Sequence, residues 1–123
     1  MGEIKQSVKV NGVRVRALMD SGATDNFLSE RVAKRVGLFL EKKYSFATAD
    51  GKRHSGRIAH ATIDVYRKMG STSVVVTNML PQDGYDLILG QAFLQDNEVE
   101  LDFSKDAMRY GSRQPRIRRI GRL

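Results

Sequence analysis

An acidic residue that closes an apolar run, followed at once by a hydroxyl and a glycine, constrains this chain more than any other feature. The segment reads Arg16-Ala17-Leu18-Met19-Asp20-Ser21-Gly22-Ala23-Thr24, and continues Asp25-Asn26-Phe27-Leu28-Ser29. The run Ala17-Leu18-Met19 predicts a strand that loses its alternation as it enters the core. Asp20 then stands at the strand end, where a short carboxylate can bond nearby backbone and favour a sharp turn. Gly22 lets other backbone come close. A second apolar run, Tyr85-Asp86-Leu87-Ile88-Leu89-Gly90, ends in a glycine 70 residues after Asp20 and leads into the helix-like Gln91-Ala92-Phe93-Leu94.

Around these two segments the chain reads as short strands. Ser7–Arg16 alternates apolar and polar about Asn11-Gly12, a hairpin signal because both residues tolerate the positive φ of a type I′ turn. Ser29 is placed to cap a short helix over Glu30–Val36, with Val32, Ala33 and Val36 on its apolar face and Gly37 as its stop. Strands are expected from Tyr44 to Tyr66 around Asp50-Gly51, with Gly56 as a second flexible point. Lys68-Met69-Gly70-Ser71 reads as a turn, Thr72–Asn78 as a buried strand, and Pro81–Gly84 as a surface turn. Glu98–Phe103 alternates cleanly, and Ala107–Tyr110 is its candidate hairpin partner. The expectation is an all-β fold, a small, closed, mostly antiparallel barrel with one or two short helices.

Composition narrows the chemistry. At 123 residues the chain suits one domain and has no room for two lobes. It has no cysteine, which excludes disulfides, a thiolate nucleophile and cysteine-ligated zinc. His54 and His60 stand in no Asp/Glu/His pattern with metal-ligand spacing, so neither a metal nor another cofactor is expected. No stretch approaches a membrane span, and the N-terminus has no signal-peptide pattern, so a soluble, intracellular protein is expected. The net charge of +7 is concentrated at one end. Residues 112–123 carry Arg113, Arg116, Arg118, Arg119 and Arg122 and no acid, which leaves residues 1–111 with 16 basic and 14 acidic side chains, or +2. The chain therefore divides into a nearly balanced domain, 1–111, and a basic tail, 112–123, read as disordered. The tail is open to weak, non-specific contact with nucleic acid or another polyanion, or to burial of Ile117 and Ile120 in an interface.

Taken together, the Asp-Ser-Gly-Ala turn and the Leu-Ile-Leu-Gly turn resemble those of the retropepsins, the single-lobe aspartic proteases of retroviruses, retrotransposons and their domesticated cellular relatives. The resemblance runs from about Val8 to Gly111. Its flavour is similar to the gypsy-class long-terminal-repeat retrotransposons, whose proteases often read Asp-Ser-Gly-Ala-Thr followed by Asn-Phe. It implies a homodimeric endopeptidase acting on a polyprotein or another protein substrate, in the cytoplasm or a retroelement particle. Asp20 would be the catalytic carboxylate, with Ser21 bonding across to the partner chain and Gly22 shaping the turn. Ala23 would leave room for substrate backbone, which Thr24 and Asp25 would contact. Leu89 and Gly90 would form the core turn beside the site. Phe46–Gly56 would be a flap closing over bound peptide, with Ala49, Asp50 and Gly51 at the substrate. Many retroviral relatives pair an Asp with an Arg where this chain has Thr24 and Gln91, and a Thr–Gln hydrogen bond is the expected substitute. The rival from another class is a non-catalytic peptide-binding or dimerisation module on the same fold, domesticated or in the ubiquitin pathway. An ordinary Asx-turn role for Asp20 is the blander alternative.

Overall fold

The computed structural model describes residues 3–65, 68–80, 84–97, 99–102, 107–110 and 118–122. The strands β1 (Glu3–Val10) and β2 (Val13–Asp20) form the expected hairpin, with Asn11 at φ 47° and Gly12 at φ 88° in its turn. There follow β3 (Phe27–Ser29), α1 (Glu30–Val36), β4 (Lys43–Ala47), β5 (Arg53–Val65), β6 (Lys68–Thr77), β7 (Leu87–Leu89) and α2 (Gln91–Asp96). The sheet order is β1-β2-β7-β3-β6-β5-β4, and β1 also pairs with β5. That extra pairing closes six strands into a barrel and leaves β4 as a flange on β5. Helix α1 is built as its residues dictate: Ser29 Oγ accepts from Val32 N, and Gly37 ends the helix in the left-handed conformation.

Alternation predicts which strand faces meet, but at one place it fails for a physical reason. Ala17, Met19, Leu28, Val74, Val76, Leu87 and Leu89 belong to the cluster filling the barrel, joined by Val32 and Ala33 of α1 and Phe93 of α2. Their neighbours Leu18, Phe27, Val75 and Ile88 are equally buried, on the opposite face, together with Phe46 of β4. The strands β2, β7, β3 and β6 are therefore covered on both sides, which requires unbroken apolar runs. Two of their pairings, β2–β7 and β3–β6, are parallel, within an otherwise antiparallel barrel.

Three local expectations change. Gly56 lies inside β5 and is no flexible point; a Cβ there would fall 2.5 Å from the Val76 carbonyl oxygen, so close strand approach selects the glycine. Lys68–Ser71, read as a turn, belongs to β6, because long β5–β6 pairing carries the ladder out to Val65 opposite Lys68. Pro81, Gln82 and Asp83 lie outside the described residues. Finally, β8 (Val99–Asp102) pairs antiparallel with β9 (Ala107–Tyr110), as the alternation suggests, and β9 pairs with β10 (Arg118–Arg122) in a separate three-stranded sheet. The tail read as disordered thus contains a strand whose backbone groups pair with β9, a partner that charge patterning does not reveal. Arg118, Arg119 and Arg122 fall in it, whereas Arg113 and Arg116 lie outside the described residues.

Candidate active site

Strand β7 lies between β2 and β3, so the chain linking those two strands must pass over the end of β7. Residues 21–26 make that crossing directly above Gly90. A Cβ on Gly90 would lie 2.4 Å from the Ala23 carbonyl oxygen and 2.5 Å from that of Asp25. Backbone oxygens cannot yield that space, so glycine is obligatory here. The loop is then fastened to the residues after Gly90. Gln91 N donates to Ala23 O at 2.8 Å, Ala92 N to Thr24 O at 3.2 Å, and Gln91 Nε2 to Ser21 O at 2.8 Å.

A buried asparagine does the rest. Asn26 is 1% exposed, and every polar group of its side chain is used. Its Oδ1 accepts from Gly90 N at 2.8 Å and from Phe93 N at 3.3 Å, and its Nδ2 donates to Thr72 Oγ1 and Ser73 O, each at 2.9 Å. Its backbone oxygen accepts from Val75 N at 2.8 Å. One side chain thus ties the crossing loop to β6, β7 and α2, and buried polar groups satisfied in this way rigidify their surroundings. Asp20 closes the turn itself: its Oδ1 accepts from Gly22 N at 2.9 Å, and its carbonyl accepts from Ala23 N at 3.1 Å. The half-buried carboxylate therefore stands in a fixed direction at the end of β2.

It faces a cleft of about 630 Å³, walled on one side by the crossing loop and on the other by the β4–β5 hairpin. Phe46 of the hairpin packs against Phe27 with the rings tilted at 57° and their centroids 4.8 Å apart, seating β4 on the outer face of the barrel. Tyr44 OH donates to Asp25 Oδ2 at 2.8 Å, bridging hairpin and loop. That bond, with burial and the nearby negative charge as smaller causes, raises the Tyr44 phenol above its ordinary 10.0. The hairpin tip is held by local contacts. Thr48 N donates to Lys52 O and Gly51 N to Thr48 O, while Asp50 Oδ1 accepts from the Thr48 hydroxyl and Lys52 N. The Thr48 hydroxyl above all, then the Lys52 amide, holds the Asp50 carboxyl below its ordinary 3.8, with a smaller contribution from His54.

Of the residues singled out from sequence, Asp20, Gly22, Ala23, Thr24, Asp25 and Ala49 all line this cleft. Asp50 and Gly51 sit at the exposed hairpin tip beyond its lining, and Leu89 and Gly90 are buried beneath the loop. The Thr24–Gln91 side-chain bond is replaced: the Gln91 amide reaches Ser21 O, and Thr24 meets α2 through its own carbonyl, because the loop presents backbone oxygens to that helix. Sequence reasoning missed Asn26 and Tyr44. Asn26 carried a faint signal, an amide between a polar turn and the apolar Phe27-Leu28. Tyr44 carried none, since its partner is 19 residues away. Among the described residues no cluster of His, Asp or Glu could hold a metal, and no helix is long and apolar enough to cross a membrane.

Residues 6–96 match the family model described as "gag-polyprotein putative aspartyl protease". The chain belongs to this retropepsin-like family. A relative from Phaeosphaeria nodorum, DNA damage-inducible protein 1, is 29% identical over 110 residues, covering 86% of this chain; the chain spans 24% of that protein's length. Among solved structures, the retroviral protease-like domain of Ddi1 from Leishmania major has a TM-score of 0.62 at 18% identity, covering 89% of this chain and 86% of that one. The EIAV protease, complexed with the inhibitor HBY-793, has a TM-score of 0.59 at 22% identity, covering 76% and 86%. A retropepsin-like aspartic protease from Rickettsia conorii has a TM-score of 0.56 at 20% identity, covering 82% and 75%. These structural likenesses establish the retropepsin-like barrel.

Proposed function

We propose that this chain is a homodimeric aspartic endopeptidase that cleaves a retroelement polyprotein or another protein substrate, with one active site shared by two copies. The observation that carries the reading is the single Asp20-Ser21-Gly22 turn, held by the Asn26 clamp and presented to a peptide-sized cleft. One carboxylate is a poor catalyst for amide hydrolysis. Two of them about 3 Å apart cannot both ionise, the arrangement known from aspartic proteases. A two-fold axis is the simplest operation that sets Asp20 beside its own copy.

The ionised member of such a dyad removes a proton from a shared water as that water attacks the scissile carbonyl. The protonated member donates a hydrogen bond to the carbonyl oxygen. The tetrahedral intermediate then collapses as a proton passes to the leaving amine, and no covalent enzyme intermediate forms. Ser21 hydroxyls bonding across the dyad would keep the carboxylates coplanar. Closure of the β4–β5 hairpin tip would exclude water and offer backbone hydrogen bonds to an extended peptide. Thr24 and Gln91, being neutral, give the dimer no ion pair at this point. The arginines of residues 113–122 would add only weak, salt-dependent contact with polyanions.

Dilution and poisoning test the shared site directly. Specific activity should fall as the chain is diluted below its dimer dissociation constant. Excess Asp20→Asn chains should suppress wild-type activity, because every mixed dimer loses one member of its only dyad. Constant activity per chain at every dilution, with no effect of exchanging mutant subunits, would contradict the model. A second reading, a non-catalytic peptide-binding module, draws on the likeness to DNA damage-inducible protein 1. It predicts peptide binding without turnover by the wild-type dimer.

A further inference from the structure

A second groove, of about 460 Å³, lies between α1 and the segment that follows it, and it shares no lining residue with the cleft beside Asp20. Its floor is apolar, made by Ala33 of α1, Leu38 and Leu40 of the following segment, and Val76 of β6. A groove of this size can take several aliphatic side chains. Next to Leu40 stands Phe39, which at 80% exposure is the most exposed large apolar side chain among the described residues. Leu38 turns inward and packs against the barrel core, whereas Phe39 and Leu40 remain in water. Apolar surface that adjoins an apolar groove in this way marks a contact surface rather than a stray side chain.

The rim of the groove is basic. Lys34 lines it, and Arg35, Lys42 and Lys43 flank the same stretch of chain, all four exposed. No described side chain pairs with any of them. Arg31, by contrast, is held by Asp86. Of the two acids nearby, Glu41 has its own partner in His60 Nε2 at 3.4 Å, which leaves Glu30, one helical turn before Lys34, as the opposing charge. Lysine stems can lie along an apolar wall while their ammonium groups meet carboxylates at its edge. The complementary surface therefore combines apolar anchors with flanking Asp or Glu.

The backbone around the groove limits the shape of the occupant. Gly37 N donates to Lys34 O at 3.3 Å and Leu38 N to Ala33 O at 3.0 Å, closing the end of α1. Glu41 N donates to Ile58 O at 2.7 Å, and Ile58 N to Lys42 O at 3.0 Å. The Arg57 guanidinium donates to the carbonyls of Leu40 and Glu41. The groove thus presents no open ladder of N–H and C=O groups to which an extended peptide could add as a strand. An occupant held by side chains alone must satisfy its own backbone, as a helix does.

We infer that this groove docks an acidic amphipathic helix of a partner protein, with Phe39 and Leu40 meeting its apolar face and Lys34, Arg35, Lys42 and Lys43 its acidic flanks. The inference goes beyond the proposed peptide cleavage and does not depend on it, since the groove and the cleft are lined by different residues.

The test measures fluorescence anisotropy of a labelled helical peptide of about 15 residues, built from Glu, Ala and Leu with Leu at i, i+3, i+4 and i+7. One control has the same composition with the Leu residues spread around the helix, and a second has Lys in place of Glu. The full-length wild-type chain should bind the first peptide with a Kd on the order of 10⁻⁵ M, and each control about tenfold more weakly. Phe39→Ser should weaken binding about tenfold through lost apolar burial, and Lys34→Glu about threefold, the scale of an exposed ion pair. Both change exposed side chains, so a thermal melt should stay near that of wild type. Arg14→Glu, on the exposed face of the β1–β2 hairpin, should leave binding unchanged. Failure of the wild type to bind, or equal binding of all three peptides, overturns the inference. So does binding that survives both Phe39→Ser and Lys34→Glu, or that Arg14→Glu weakens as much as Lys34→Glu. Sedimentation velocity adds a further outcome: a wild-type assembly that Phe39→Ser dissociates would assign the groove to a second copy of the chain and overturn the helix.

Discussion

The two walls of the cleft are built in opposite ways. The crossing loop, residues 20–26, is tied to the barrel by a buried amide, by backbone bonds into α2 and by an obligatory glycine beneath it. Its partners lie 46 to 70 residues away. The hairpin tip, residues 48–52, is exposed and is held almost entirely by bonds spanning two to four residues. In the proposed shared site, a loop that holds a carboxylate within a fraction of an ångström of its copy needs the first construction. A segment that admits and covers a peptide suits the second, since local opening costs least where few buried contacts are lost. Tyr44 is the bridge, seated on the hairpin and bonded to the loop.

This contrast makes the loop the place where single changes should do most. Asp20→Asn keeps an oxygen to accept from Gly22 N, so the turn should survive while peptide cleavage falls by about a thousandfold or more. Activity assays alongside a thermal melt check both halves, and substantial residual cleavage would move the chemistry elsewhere. Asn26→Ala should be the most damaging to stability. It strands the Gly90 and Phe93 amides in the interior and should cost about 3 kcal/mol or more, a fall in Tm on the order of 10 °C. A melt within a degree or two of wild type would show that the loop is not clamped in this way.

The same measurements on the hairpin should give small numbers. Gly51 sits at φ 83°, so Gly51→Ala should cost about 1 kcal/mol and raise KM more than it lowers kcat. A loss as large as that of Asn26→Ala would erase the distinction between the walls. The raised Tyr44 phenol adds a pH dependence. Its hydrogen-bonded, neutral form contributes stability that is fully present below pH 10.0 and is lost as pH rises through the higher folded value. Ultraviolet titration of the phenolate should show this group among the last tyrosines to ionise, and Tyr44→Phe should remove its share of the alkaline destabilisation. Smallest of all is Asp50. Its lowered pKa means a contribution present above 3.8 and lost as pH falls through the folded value, confined to the fully exposed tip. Carboxyl NMR should find its midpoint below 3.8, with the global melt of Asp50→Asn unchanged.

Catalysis itself should show a bell-shaped pH profile with an acidic to near-neutral optimum, reporting two macroscopic values that belong to the dyad as a pair. A rate rising steadily into alkali would be incompatible with paired carboxylates.

Much of this was local and therefore legible in the sequence. Asn11-Gly12 carries the positive φ angles that make a hairpin, Ser29 and Gly37 bound α1, and Asp20-Ser21-Gly22 makes its own turn, all through contacts within a few residues. The unbroken runs 17–19, 74–76 and 87–89 announced buried strands. Only the tertiary structure decided which strands lie side by side. Inserting β7 between β2 and β3 forces the loop across Gly90, turns Asn26 from an unremarkable amide into the clamp, and brings Tyr44 to Asp25. In the separate three-stranded sheet, β10 finds a partner in β9 where charge alone suggested none. Turn and cap preferences are energies of a few neighbouring residues, whereas these arrangements depend on pairing segments far apart in the chain, and no short stretch of sequence contains that term.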